Sequence, residues 1–437
     1  MHITVFGVVW ILFMLIDFII FPVKVSAQIL IISGIFQASA IAIIGGTGIP
    51  VFLFTSIYFV FKCIILTLQS QRPDALKIKI PVWGRCLGLF LIYSIFCTII
   101  MPNIFSGVEV LRPVLMIGGK GKEMKNIPLS FSFSNISQLI LLASYISCAF
   151  CLYKFKDFIS FSSLFKAFYL SIILVLLIGF WAYICKQFNL IQFPDSFFYN
   201  NTSYTLLYDA KFGSLHRYIS TFTEASCVAG FLAPAFWGMA VVKHKWNILI
   251  LPLIFIALCL TMSATGYAAF ICGFGIYILF YSKKYIRFIT ILLGLFFLII
   301  MYAIGVLDVF LNPITNKLAS HSAMIRGNSD LLSLNALLET CLLGVGIGST
   351  RGSSFFINIT TSLGVVGLIA LGMFLYKILE NALNTSNDKK NKFIGMFAFV
   401  TLIGQIVALP DLSYSPFWMW IFLASTIKNM PPSAKPA

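Results

Sequence analysis

The chain has 437 residues, of which 60% are hydrophobic and only 10% charged. Soluble domains are about 45–50% apolar, so this composition excludes an ordinary soluble protein and predicts a polytopic membrane protein. The formal net charge of +16 would suggest nucleic acid as a partner of a soluble chain; here the basic residues are scattered over many short loops, which fits membrane topology and no nucleic-acid groove.

Apolar runs of bilayer-crossing length recur from end to end. Val5–Phe21 runs on without a small-residue cleavage pattern and reads as a first span rather than a signal peptide. The predicted spans lie near 5–21, 27–45, 49–68, 86–105, 137–153, 167–185, 226–242, 248–263, 265–282, 288–305, 355–376, 394–410 and 416–428. The fold class is therefore all-α, with about 12–13 transmembrane helices in one multi-pass domain over 1–437. Asp17 is the most isolated acid, near the inner end of the first span, where it can reach water. The ten cysteines, Cys148 and Cys151 included, lie mostly in apolar runs and read as packing residues.

Lys24, Arg85, Lys154, Lys156, Lys166, Lys245, Lys389 and their neighbours fall on one face, roughly 20 of the 30 basic residues. The positive-inside rule makes that face cytoplasmic and the N-terminus external. The external segment 106–136 breaks the pattern with Arg112, Lys120, Lys122 and Lys125. It is one of three long external segments, with 186–225 and 306–354, and long ordered segments on a compact scaffold carry function. Within it, GGKGKE lacks the Ser or Thr of a phosphate loop and reads as a flexible loop.

Charges concentrate in the last two of these segments. Arg217 and Glu224 are seven residues apart, two turns and one face if that stretch is helical. Ser220, Thr221 and Thr223 lie between them and Ser226 just beyond. An arginine fork suits a diphosphate and a carboxylate suits a sugar hydroxyl; the alternative is an Arg–Glu pair that fastens loop to helix. Arg326 and Arg351 flank a glycine series, GVGIGS at 344–349, which either holds an anion on its N–H groups or makes a tight turn. His216 and His321 stand near the arginines as phosphate donors or bases, and Asp209 could join them. No metal-ligand spacing is visible on this face, so a metal-free mechanism without cofactor is preferred.

In order, these residues resemble a family. Arg217 followed by Phe222-Thr223-Glu224-Ala225-Ser226 resembles the R…F-x-E-P-S pattern of bacterial O-antigen and capsular polysaccharide polymerases (Wzy-type), with alanine in place of the proline. Thr261-Met262-Ser263-Ala264-Thr265-Gly266 is similar to their T-x-S-x-T-G element. Arg326, the glycine series and Leu363-Gly364-Val365-Val366-Gly367 resemble their second large loop and its exit helix. Related O-antigen ligases carry His-Asn where this chain has Ser353-Ser354, which favours polymerase over ligase.

The resemblance implies a GT-C-like inverting glycosyltransferase of the bacterial inner membrane, its active site facing the periplasm. Donor and acceptor would be undecaprenyl-diphosphate-linked oligosaccharides, membrane lipid the surroundings, and a chain-length regulator protein a partner. Arg217 and Arg326, with Arg351, would stabilise charge on the leaving diphosphate; Glu224 or His216 would orient or deprotonate the acceptor hydroxyl. Ser220, Ser226 and His321 are further candidate substrate contacts. The alternatives are ligase-type transfer to another acceptor and a polysaccharide flippase or transporter, for which broken helices and internal repeats are the signature.

Overall fold

The computed structural model describes residues 1–69, 80–115, 122–190, 192–242, 244–282, 321–383 and 388–427. The predicted span 288–305, most of GGKGKE and part of the segment 306–354 lie outside them. In lipid every backbone amide and carbonyl must be satisfied within the chain, so apolar runs fold as helices. The protein is accordingly mostly helical. Strand β1 (His2–Ile3) leads into α1 (Val5–Ile20) and α2 (Val23–Ser33). Strands β2 (Ala40–Ile44) and β3 (Thr47–Pro50) precede α3 (Val51–Gln69) and α4 (Val82–Ile104). The hairpin β4 (Glu109–Leu115) and β5 (Lys122–Pro128) is followed by α5 (Phe133–Lys154), α6 (Phe161–Gln187) and the single turn α7 (Asp195–Phe198). A small hairpin, β6 (Lys211–Phe212) and β7 (Leu215–His216), precedes α8 (Ala225–Ala240), α9 (Asn247–Leu260) and α10 (Ala264–Ile276), which ends in a π turn over Tyr277–Tyr281. The remainder comprises α11 (His321–Glu339), α12 (Phe355–Leu383), α13 (Asp388–Ala408) and α14 (Ser415–Ser425).

Among the described residues seven helices are long and apolar enough to cross a membrane: α3, α4, α5, α6, α10 with its π turn, α12 and α13. Their outward faces are apolar, as is that of α1, where Val5, Val9, Leu12, Ile16 and Ile19 are exposed while Phe6, Trp10 and Met14 are buried. A large apolar surface turned outward is what a bilayer requires and water forbids. The chain is a multi-pass membrane protein.

The run 27–45 is not one span. Helix α2 has 11 residues, about 16 Å at 1.5 Å per residue, half the hydrocarbon thickness. It ends where Gly34 lies against Met419 and Ser415. The chain then turns and Ala40–Ile44 pairs with both β1 and β3. Gly45 and Gly46, at φ of 56° and 80°, form the two-residue turn between β2 and β3. Helix α14, also 11 residues, starts at the same place: the Ser415 hydroxyl donates to the Gly34 carbonyl, and Gln37 Nε2 donates to Ser415 Oγ at 2.8 Å. Two helices too short to span thus meet end to end inside the bundle.

Helix α12 is broken at Gly364, whose φ of 67° and ψ of −175° are non-helical. The glycine series fills the break. Val345 N–H donates to Thr361 O at 2.9 Å, Gly346 N–H to Ser362 O at 2.8 Å, and Val365 N–H to Leu342 O at 3.1 Å. A Cβ on Gly344 would lie 2.5 Å from Gly364 N, and one on Gly364 would lie 2.4 Å from Leu342 O. The series is a tight turn seated on a broken helix; Ile347 N–H is also used, by Thr98 Oγ1 at 3.1 Å.

Asp17 does not reach water. Its side chain is fully buried and its Oδ2 accepts from Lys62 Nζ at 3.1 Å, Ser26 Oγ at 2.6 Å and Tyr58 Oη at 2.5 Å. The ammonium also donates to the carbonyls of Asp17 and Phe21. This buried pair ties α1, α2 and α3 together.

Candidate functional site

The strands and the long inter-helix segments gather at one end of the bundle. They surround a cavity of about 370 Å³. Its wall includes Pro50 from β3, Leu111 and Met124 from the β4–β5 hairpin, Ser203, Tyr204, Thr205 and Leu207, Glu224, Arg326 and Arg351, and its floor includes Phe36, Gln37, Tyr414 and Ser415 at the meeting point of α2 and α14. The wall is thus mixed: aromatic and aliphatic surface from Phe52, Tyr145, Tyr204 and Leu409, hydroxyls from Ser203, Thr205 and Ser413, and a few charges. A pocket of this kind orients a ligand by its polar groups and encloses it by its apolar ones.

Glu224 is the N-cap residue of α8. Its Oε1 accepts from the Ser226 hydroxyl and, at 3.8 Å, from the Cys227 thiol. The helix N-terminus favours an anion at that point. Ser226 therefore holds the carboxylate rather than lining the cavity itself.

The stretch from Arg217 to Glu224 is a buried turn, not a helix. Ser220 has a φ of 56°. Its hydroxyl and that of Tyr218 both donate to Val175 O, at 2.8 and 2.7 Å. Thr221 Oγ1 donates to Ile35 O at 2.6 Å. These hydroxyls are tied to carbonyls of α6 and of the turn after α2, which holds the segment as a turn packed against both. Ser220 is consequently a structural residue away from the cavity. Arg217 does not share a helical face with Glu224. Its Nε donates to Thr261 O at 2.9 Å and its Nη2 to Met262 O at 3.2 Å. Burial pushes the Arg217 guanidinium down from its ordinary value, and the nearby Glu224 charge opposes the shift. Arg217 stands behind Glu224, outside the cavity wall, and joins two of the sequence elements that carry the resemblance.

The arginines that line the cavity are Arg326 and Arg351. Arg326 is exposed on α11. Arg351 is held at both backbone groups and at one side-chain nitrogen. Its N–H donates to Leu111 O at 3.1 Å, its carbonyl accepts from Ser329 Oγ at 3.1 Å, and its Nη2 meets Asp411 Oδ2 at 2.9 Å. The Asp411 carboxylate raises the Arg351 guanidinium above its ordinary value against the effect of burial. Beside it, Ser353 donates through both N–H and Oγ to Asp330, at 2.8 and 2.5 Å. The Tyr204 phenol is pushed up to about 12, chiefly by burial.

The histidines stand apart from this geometry. His216 lies in the β6–β7 hairpin and not in the cavity wall. Its N–H donates to Gln187 Oε1 at 2.8 Å, and burial with Lys211 nearby lowers its imidazole below the ordinary value. The side chain of His321 lies outside the described residues. Asp209 pairs with Lys186 at 2.9 Å, which also meets Asp195 at 3.0 Å. The rings of Tyr199 and Tyr208 flank the same ammonium, so this cluster is a clamp on the external segment.

Asp411 and Asn358 are not singled out by the sequence, and Arg112 is, but only for its charge. Arg112 looked like an exception to the charge rule. It is buried, donating from Nε to Ser349 O and from Nη2 to Ser130 O, both at 3.2 Å, so it fastens the β4–β5 hairpin to the glycine turn. Asp411 had a signal in sequence: it is an acid directly after an apolar run, in a chain with 14 acids. No family model matches the chain, and no curated protein matches it.

Proposed function

We propose that the chain is a GT-C-like inverting glycosyltransferase that polymerises undecaprenyl-diphosphate-linked oligosaccharide repeat units into O-antigen or capsular polysaccharide. The cavity end would face the periplasm across the inner membrane, since the opposite helix ends carry Lys24, Arg85, Lys154, Lys156, Lys245 and Lys389. One observation carries the reading: Glu224, Arg326 and Arg351, from three separate parts of the chain, line the same cavity. The donor's leaving group is already a diphosphate, so the reaction needs no nucleotide. The acceptor hydroxyl oxygen attacks the anomeric carbon, and the bond from that carbon to the diphosphate oxygen breaks. Arg326 and Arg351 meet the charge that develops on the departing diphosphate. The proton of the hydroxyl passes to Glu224. Arg217 contributes indirectly, by fixing the 261–262 turn. Ser353, where ligases carry histidine, lines the cavity, which supports polymerase over ligase.

The test is reconstitution of the purified chain in liposomes with a defined lipid-linked repeat unit, read as polymer ladders on a gel. Ladders are expected from the wild type and loss of them from Arg326→Ala and Arg351→Ala; ladders that survive both substitutions overturn the reading. A transporter is the second reading, favoured by the break at Gly364 and by the two half-length helices under the cavity, since transporters build their sites from discontinuous helices. In the same liposomes it would move the labelled lipid between leaflets without lengthening it. A ligase would leave lipid-linked polymer unattached in cells that lack the protein.

A further inference from the structure

We propose that Asp411 is the positioning residue for Arg351, aiming its guanidinium at a diphosphate; the inference rests on the diphosphate ligand of the proposed function. Asp411 lies in the short turn between α13 and α14, and its Oδ2 takes only Nη2 of Arg351. Among the described residues the other N–H donors of the fork have no hydrogen-bond partner, which leaves them to a ligand. The two side chains are 42% and 33% exposed, so the pair borders the cavity and a ligand can reach it.

A second contact fixes the same pair from behind. Asn358, in the first turn of α12, accepts from Gly352 N–H at 3.3 Å and donates to Pro410 O at 2.8 Å. Gly352 follows Arg351 and Pro410 precedes Asp411. Residues 351, 352, 358, 410 and 411 therefore form a closed ring of one ion pair, two hydrogen bonds and two peptide links. A brace of loop to helix needs only the Asn358 bridge. The ion pair adds a defined direction for a long, otherwise mobile side chain, which is how a bidentate cation becomes preorganised.

The sign of a binding change separates positioning from charge alone. Removing the Asp411 carboxylate takes a negative charge from beside an anion site, which by itself tightens anion binding. Loss of a fixed Arg351 weakens it. The experiment is calorimetric titration of the purified full-length chain with inorganic pyrophosphate. Asp411→Ala should bind about 10-fold more weakly than wild type, the size of one charge-assisted hydrogen bond. Asp411→Glu should recover most of the loss. In an Arg351→Ala background, Asp411→Ala should cause no further weakening. Asp411→Asn keeps an acceptor oxygen and an intact shape, and serves if the alanine variant does not fold; it should weaken binding less than 10-fold. The inference is overturned by tighter or unchanged binding in Asp411→Ala and Asp411→Asn, by an equal loss in the Arg351→Ala background, or by a wild type that shows no saturable pyrophosphate binding. Polymer ladders are scored separately, so a chain that binds pyrophosphate in this pattern without polymerising would sink the proposed function and leave Asp411 in its role.

Discussion

At the scale of single residues, the structure separates charges that work on the cavity from charges that hold the fold. Glu224 faces the cavity with Oε1 already engaged by Ser226 and Cys227. Glu224→Gln keeps the size of the side chain and an acceptor for Ser226 while removing the negative charge. Its rate of ladder extension should fall by roughly 10²–10⁴-fold, the usual contribution of a general base; a wild-type rate would rule that role out. Asp17 and Lys62 belong to the other class. Both are buried, and four further donors or acceptors complete the network. Lys62→Met leaves a buried carboxylate without its cation and should cost about 3–5 kcal/mol. Asp17→Asn combined with Lys62→Met should cost less than Lys62→Met alone, because neither charge is then stranded. Melting of the detergent-solubilised protein, followed by tryptophan fluorescence, decides it. A double variant as unstable as the sum of the singles would mean that the two side chains do not interact.

At the scale of elements, the apolar runs were legible because lipid leaves the backbone no choice but a helix. The places where they fail to be plain helices were harder to see. The run 27–45 has the length and hydropathy of a span, yet the Gly45-Gly46 pair that ends its strand is a hairpin signal hidden inside an apolar stretch. Likewise the glycine series reads in sequence as a tight turn or an anion site and Gly364 as part of a continuous exit helix. Only their mutual contact, Gly344 on Gly364 across a broken helix, shows why both are glycine. The helical reading of Arg217 to Glu224 failed for a related reason, since its hydroxyls find carbonyls on other elements that sequence cannot pair. Gly364→Ala should therefore be destabilising twice over. Its φ of 67° with ψ of −175° lies in a region that essentially only glycine adopts, at a cost of about 1–3 kcal/mol for a residue with a Cβ, and that Cβ would meet Leu342 O. Gly372 lies in the same helix with open space around its Cβ position. Gly372→Ala should leave the melting temperature unchanged or raise it. Equal behaviour of the two alanine variants would show that the break in α12 carries no strain.

At the scale of the whole molecule, alternation of the helices gives the protein two unlike ends. Among the described residues one end carries the strands and the cavity, and the other collects the short Lys- and Arg-bearing turns. The sequence located these ends, since charge counts over short loops report sidedness, but it could not show that 34–50, 199–224, 340–354 and 409–415 converge on one cavity. That convergence is set by contacts such as Asn200 and Asn201 with Ala38, or Arg351 with Leu111 and Asp411, which join residues far apart in the chain. Sidedness is also what the proposed chemistry needs, because a polymer built on the wrong side of the bilayer would have to cross it afterwards. Phe212 is exposed at the cavity end and Phe158 at the opposite end. In a background without native cysteines, which removes the exposed Cys259, Cys272 and Cys341, Phe212→Cys should react with a membrane-impermeant maleimide on intact spheroplasts. Phe158→Cys should react only after the membrane is permeabilised. The reverse pattern would put Glu224, Arg326 and Arg351 in the cytoplasm, where the basic turns belong by the positive-inside rule, and periplasmic polymerisation could not stand.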